Sequence, residues 1–430
     1  MHSIVDGDPR LLAWRRAREF AVPPTMIETA AARRLVGDWG GACAAARVDV
    51  DLDLRAIAGA HGHEVARRIR LDLRHLAPDL LRWHMPRAAP DFLLRPGVTL
   101  SLARYRRGLH LVARTAPAWA EAGQRISLVL WSGIRDGRHP DRRFRLDLHR
   151  HLWDARRTAE LRERVAPGPD GLAVSRWQAE ADILRRADGR AFDPVAVRVG
   201  ARQRFALDPG GTHPREVARP DPRWPILPDT ATWVLPDLEL LRAGLINLCD
   251  LHPLVAAALG PGQAGVEPRA QPVRGRDGAR LVQCRGAEHR IALVDGLLSA
   301  LDHDPGELRR EELLVALGGP PLPCLRAIDE AHRNPAGLAD IRGLLDHGDT
   351  AGAVAAVERL LGADAVLREG PLRDELESAA ARRVTYGLYR AGLAGRGPLK
   401  RTQGDANNAG NTRRRRRSAR PARRHRHRNP

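Results

Sequence analysis

The chain has 430 residues, of which 43% are hydrophobic and 29% charged, and a formal net charge of +19. That balance is ordinary for a folded protein and excludes a wholly disordered, collagen-like or membrane-embedded chain. The charge is uneven: residues 396–430 hold 13 basic residues and one acid, Asp405, so this tail carries +12 and leaves +7 of the +19 for the body.

Of the 71 basic side chains only Lys400 is lysine. Loss of lysine beside abundant Ala, Gly, Pro and Arg is the imprint of a high-GC, bacterial-type codon usage. Arginine is then the default solubilising cation, and an Arg cluster is weaker evidence for nucleic acid than usual. Four widely spaced cysteines, Cys43, Cys249, Cys284 and Cys324, form no disulfide framework and predict buried thiols in a reducing compartment. The start of the chain lacks a basic stretch followed by an apolar one, and no apolar run reaches membrane-span length, so a cytoplasmic protein with no membrane contact is expected.

Residues 1–24 read as an N-terminal extension. Pro23 and Pro24 precede a capping-box pattern, Thr25 to Glu28, that predicts a helix ending near Gly37. Asp38 then caps a short second helix through Ala46. Val65, Ile69, Leu73 and Leu76 give helical spacing across 63–83. The period changes to two at Val98-Leu100-Leu102, Leu109-Leu111-Ala113, Ile126-Leu128-Leu130 and Phe144-Leu146-Leu148, four runs that predict an antiparallel meander covered by a helix from Trp153-Asp154. Seven prolines in 209–236 predict a connector without regular structure. Helix resumes at Asp237, with Leu238, Leu241, Leu245 and Leu248 on one face. Residues 280–284 and 289–294 read as a short hairpin around Arg285-Gly286, and 295–393 as helical.

The expected fold class is α+β: mostly helical, with a central antiparallel β-meander in 25–208, a second helical region with a small β-hairpin in 237–395, and a disordered basic tail at 396–430. All nine Trp and all five Phe lie between Trp14 and Trp233, so the two regions should have different cores. The segment around Gly37-Asp38-Trp39-Gly40-Gly41 echoes the one around Gly348-Asp349-Thr350-Ala351-Gly352. Both read as a helix ended by glycine and a second helix opened by aspartate. This is the local logic of tetratricopeptide-type hairpins and resembles them at that level only, since no tandem units follow.

Several side-chain patterns bear on chemistry. Asp49, Asp51 and Asp53 alternate as on one strand face, which could offer oxygens to a cation or simply face solvent. Cys249 and His252 form a C-x2-H pair, and Cys284 and His289 a C-x4-H pair. Together they are a zinc-type donor set, but 31 residues separate the pairs, and buried free thiols are the simpler reading. His61-Gly62-His63-Glu64 has Arg67 where a metalloprotease helix needs its second histidine. His149 and His151 could work with Asp147 or Asp154 as acid–base groups, against a simpler reading as surface histidines. Gly260, Gly262 and Gly265 match a dinucleotide fingerprint, but an apolar helix precedes them and prolines follow. No cofactor is expected.

The tail carries Arg413, Arg414, Arg415, Arg416, Arg417, Arg420, Arg423, Arg424, Arg426 and Arg428. It reads equally as a nonspecific phosphate binder, a solubilising appendage or a read-through extension. The expectation for the whole protein is a non-enzymatic interaction or regulatory protein that engages a protein partner through helical surfaces. The alternatives are a nucleic-acid-associated protein using the tail, and an enzyme with a site assembled from distant residues such as His149, His151 and Asp154. On the nucleic-acid alternative, deleting 396–430 should abolish binding to a generic duplex together with its salt dependence, read by titration at two ionic strengths. Unchanged binding after truncation would remove the tail from consideration.

Overall fold

The computed structural model describes residues 8–106, 108–120, 123–133, 139–165, 168, 171–200, 203–260 and 280–394. The arginine-rich tail and the glycine motif beyond Gly260 lie outside the described residues. The described residues up to Tyr386 form one compact unit.

The fold is α+β, and aspartates and prolines set most helix starts. The N-terminal helices are α1 (Pro9–Ala21), α2 (Pro24–Leu35) and α3 (Trp39–Ala45). After strand β1 (Val48–Asp51) come α4 (Leu54–His61), α5 (His63–His75) and α6 (Pro78–His84). Asp8, Asp38 and Asp53 each accept a backbone N–H of the helix they open, which satisfies one of its free donors. The stretch read as one helix from 63 to 83 breaks at Leu76-Ala77, because Pro78 cannot continue α5 but suits the first turn of α6. The segment expected as an extension contains α1, which buries Phe20 and Ala21.

The short pair β2 (Arg87–Ala88) and β3 (Leu93–Leu94) leads to the meander of β4 (Thr99–Arg106), β5 (Leu109–Thr115) and β6 (Ile126–Trp131). Its order is β1-β6-β5-β4, antiparallel except for β1, which runs parallel to β6 with Val48 opposite Ile126. The fourth alternating run is not a strand. Phe144 and Leu146 are buried in the same core, but the backbone turns: His149 N–H donates to Leu146 O, and the Trp153 indole donates to that same carbonyl at 3.0 Å. The helix expected from Trp153 is likewise replaced by single 3-10 turns at Arg150–Leu152 and Thr158–Glu160.

Beyond α7 (Leu161–Arg164), helix α8 (Val174–Asp188) packs on a second sheet of β7 (Val195–Arg198), β8 (Arg204–Leu207) and β9 (Arg215–Glu216). The proline-rich segment is therefore not structureless. It contributes β9 and α9 (Asp229–Thr232), and it runs beside β7, where Ala196 donates to Pro225 O and accepts from Leu227 N–H. Proline lacks a donor but keeps its carbonyl, so such a segment can still serve a strand as acceptor. Helices α10 (Pro236–Arg242) and α11 (Pro253–Leu259) and the turn between them send Leu240, Val255 and Leu251 into the first core rather than joining the residues after 280.

The remainder comprises β10 (Arg280–Cys284), β11 (Ala287–Val294) and β12 (Leu297–Ala300), then α12 (Pro305–Ala316), α13 (Pro323–Arg333), α14 (Leu338–Asp346), α15 (Thr350–Leu361) and α16 (Pro371–Arg390). The strands form an antiparallel three-stranded sheet. Strand β12 lies where helix was expected, joined to β11 by Asp295-Gly296, both with positive φ, as a two-residue hairpin turn requires.

The two echoed segments are both helical hairpins with the same cap: Asp38 accepts from Gly41 N–H at 2.8 Å and Asp349 from Gly352 N–H at 3.1 Å. The α14–α15 turn presses on the N-terminal core. Gly348 has φ +85°, and a Cβ there would lie 2.2 Å from Gly123 O, so only glycine fits. Beside it Arg82, 1% exposed, donates Nε to Ala21 O at 2.8 Å and Nη2 to His347 O at 3.1 Å, while Nη1 reaches Gln124 O. Burial and the neighbouring Arg47 and Arg87 push its pKa well down, yet an arginine keeps its proton.

Arg82→Met should leave the buried carbonyls of Ala21 and Gln124 without a donor, and that of His347 with Arg47 alone, and cost about 3 kcal/mol of folding stability. The measurement is the urea midpoint, with Arg223→Met at an exposed position expected to leave it unchanged. Equal midpoints for the two variants would show that Arg82 is dispensable.

Candidate metal centre

The β10–β11 turn is Arg285-Gly286, both with positive φ, which fixes the register that sets Cys284 opposite Ala287 and Val282 opposite His289. In that register Cys284 and His289 share the sheet face that also carries buried Ile291. After β12 the chain is pinned again. Asp302 accepts from the Arg290 backbone N–H at 2.7 Å and from its guanidinium, ties that hold Asp302's pKa down at about 2. This anchor delivers the next residue, His303, to the same face. Asp304 then caps α12, and Pro323 opens α13 so that Cys324 falls in its first turn.

The four side chains converge. One donor atom from each of Cys284, His289, His303 and Cys324 lies within 4.8 Å of all the others. His289 Nδ1 and His303 Nε2 are 2.7 Å apart, with ring centroids at 4.3 Å. Both cysteines are fully buried. Burial and a hydrogen bond with Cys284 push the Cys324 thiol up to about 11. His303 Nδ1 faces Glu307 Oε2 at 3.5 Å, while Arg285 pairs with both Glu307 and Glu311. Two sulfurs and two imidazole nitrogens are a tetrahedral S2N2 set, the donor chemistry of zinc. Zn–N bonds of about 2.05 Å at tetrahedral angles place the nitrogens about 3.3 Å apart, so the imidazoles need to spread by only about 0.6 Å.

Half of this set was visible in sequence. The other pair, Cys249 and His252, is elsewhere. Cys249 is exposed, and His252 uses both nitrogens in the first core: Nε2 meets Asp79 at 2.8 Å and Nδ1 accepts from Leu254 N–H at the start of α11. His303 and Cys324 replace them, 14 and 35 residues beyond His289, where no spacing rule reaches. Among the described residues no other group of three or more His, Cys, Asp or Glu side chains is placed to share an ion.

The three aspartates disperse. Asp49 meets Arg125 at 2.9 Å and the Tyr386 hydroxyl at 2.9 Å, and Asp53 caps α4. His61 meets Arg106, and Glu64 is held by Arg67.

His149 and His151 are buried, each 3% exposed, not surface residues. Because 144–148 turns instead of extending, both point inward. His149 Nδ1 donates to Arg145 O at 3.0 Å, and its Nε2 lies 3.3 Å from Glu180 Oε2. Burial would raise the Glu180 carboxyl, but His149 and Arg164 outweigh it and bring it down to about 2. Asp147 and Asp154 take no part, since Arg145 and Arg104 hold the first and Arg150 and Arg156 the second. The two histidines line a cavity of ≈ 20 Å³ with Glu180, Thr230 and Trp233, room for about one water.

No protein-family model, curated protein or solved structure matches the chain. Among the described residues, no helix is long and apolar enough to cross a membrane.

The buried histidines predict acid sensitivity. Burial lowers His84 and His347 to about 3 and His110 to about 4, and holds His151 well below its usual range. In the unfolded chain each protonates near pH 6.5, so the unfolded state binds more protons below that pH. Stability should be full above pH 6.5 and fall toward pH 3, by about 1.4 kcal/mol per pH unit for each such group. Urea midpoints between pH 7.5 and 5 would measure the slope, and His84→Gln should flatten it. A midpoint independent of pH across that window contradicts the assignment.

Proposed function

We propose that residues 280–333 form a zinc-clasped structural module, and that the protein is a non-enzymatic interaction or regulatory protein built around it. The observation that carries this reading is the convergence of Cys284, His289, His303 and Cys324 within one coordination sphere. Two thiolates and two imidazoles fill all four tetrahedral positions and leave none for water or substrate, which is the pattern of a structural rather than a catalytic zinc. The module has need of a clasp. Its own apolar core is six buried side chains, Cys284, Ile291, Ala300, Leu322, Cys324 and Ile328, and two of these are the ligands. A core that small supplies little stability, and a metal is a common supplement.

The interaction half of the reading rests on the outside of the same module. Leu281, Leu297, Leu313 and Leu317 are 58%, 50%, 64% and 85% exposed. Exposed leucines recurring on β10, β12 and α12 and at the turn that ends α12 are more consistent with a protein contact than with a purely solvated face.

Full-length protein purified without chelator should carry one zinc per chain, with two Zn–S distances of about 2.3 Å by X-ray absorption. Cys324→Ser should lose most of the metal, and cobalt substitution should give a thiolate charge-transfer band that the variant lacks. Reduced protein that holds no metal and takes up neither zinc nor cobalt would sink the proposal.

A further inference from the structure

We infer that Glu307 is the positioning residue for the metal ligand His303 and that, through it, metal occupancy governs the placement of α12. This deepens the zinc reading above and rests on it.

Helix α12 is held differently from its neighbour. It has no buried residue, and only Leu308 packs partway onto the small core. Its polar ties lie in its first two turns. Asp304 caps it by accepting from Glu307 N–H at 3.0 Å, Glu307 and Glu311 both meet Arg285 from the β10–β11 turn, and Glu307 faces His303. Helix α13 is anchored by an apolar face, with Cys324, Ile328 and Ala331 buried. Both helices carry or adjoin a ligand, but only α12 depends on polar contacts that pass through one.

The chemistry runs in both directions. A histidine that binds metal through Nε2 must carry its proton on Nδ1, and a carboxylate facing Nδ1 fixes that tautomer and the ring plane. Glu307 is the group in that place. Metal at Nε2 draws charge from the ring and makes Nδ1–H a stronger donor, so the 3.5 Å contact with Glu307 should shorten into a hydrogen bond when the site is filled. Linkage requires the two effects to be equal: whatever Glu307 adds to metal affinity, the metal adds to the hold on the start of α12. Arg285 keeps Glu307 aimed, with Glu311 as its other partner.

Glu311 provides the control, because it shares Arg285 but does not face His303. In the full chain, zinc affinity measured by chelator competition should weaken roughly 10- to 100-fold in Glu307→Gln. Glu311→Gln should stay within about 3-fold of the unsubstituted protein, and Glu307→Asp should recover part of the loss. Hydrogen exchange supplies the second readout. Removing zinc should release the amides of 305–316 while those of 325–333 keep most of their protection. If the unsubstituted protein binds no zinc, the zinc reading itself has failed. If it binds zinc but Glu307→Gln and Glu311→Gln behave alike, or α12 and α13 lose protection together, this inference alone is overturned.

Discussion

The guanidinium of Arg82 joins three stretches of main chain that are remote in sequence: the end of α1, the approach to β6 and the turn between α14 and α15. Among the described residues no carboxylate pairs with it. Its charge is taken up by three carbonyl oxygens, and such charge-assisted hydrogen bonds are about twice as strong as neutral ones. Lysine could not replace it, because a single ammonium does not span three acceptors that a planar fork reaches at once. Arg47 reinforces the joint by donating to the same His347 carbonyl at 2.8 Å and pairing with Asp349. Codon bias explains why the chain uses arginine almost exclusively, but not where it puts it. Arg145 and Arg185 are also buried, and Arg185 bonds the carbonyls of Asp193 and Leu207. The residue type that reads as generic surface charge is also part of the interior.

Periodicity and capping made much of the architecture legible. The three strands of the meander follow their alternating runs, and the two Gly-Asp turns close helical hairpins with matching caps. Period-two spacing failed at 144–148, since burial of Phe144 and Leu146 can be met by a turn as well as by a strand, and the local hydrogen bonds chose the turn. The same failure hid the histidines beside it, because a strand would have carried them outward. Strand β12 had a readable signal in Asp295-Gly296. Proline density misled in the opposite sense, as segment 209–236 uses its carbonyls where it has no N–H groups to give.

The metal-type cluster was half legible for a physical reason. A C-x4-H pair across a two-residue turn is set by local geometry, which sequence encodes directly. His303 and Cys324 arrive through a strand pairing, an Asp302 anchor and two helix starts, each a tertiary choice. Two histidines elsewhere show the contrast with this group. In the first core, His252 has already given its nitrogens to a carboxylate and a backbone group, and His149 has one nitrogen on a carbonyl and the other against Glu180. At the sheet of β10–β12, the two imidazoles turn nitrogens toward each other and toward two thiols.

The bonds of Arg82 span 61, 42 and 265 residues. A chain synthesised from its N-terminus can bring Arg82 to Ala21 and Gln124 while the rest is still on the ribosome, but His347 emerges far later. Until then one arm of the guanidinium faces solvent on the surface that the α14–α15 turn will cover. The last segments of the body therefore complete the first core as well as fold beside it, and loss of them by truncation is felt at the opposite end of the sequence.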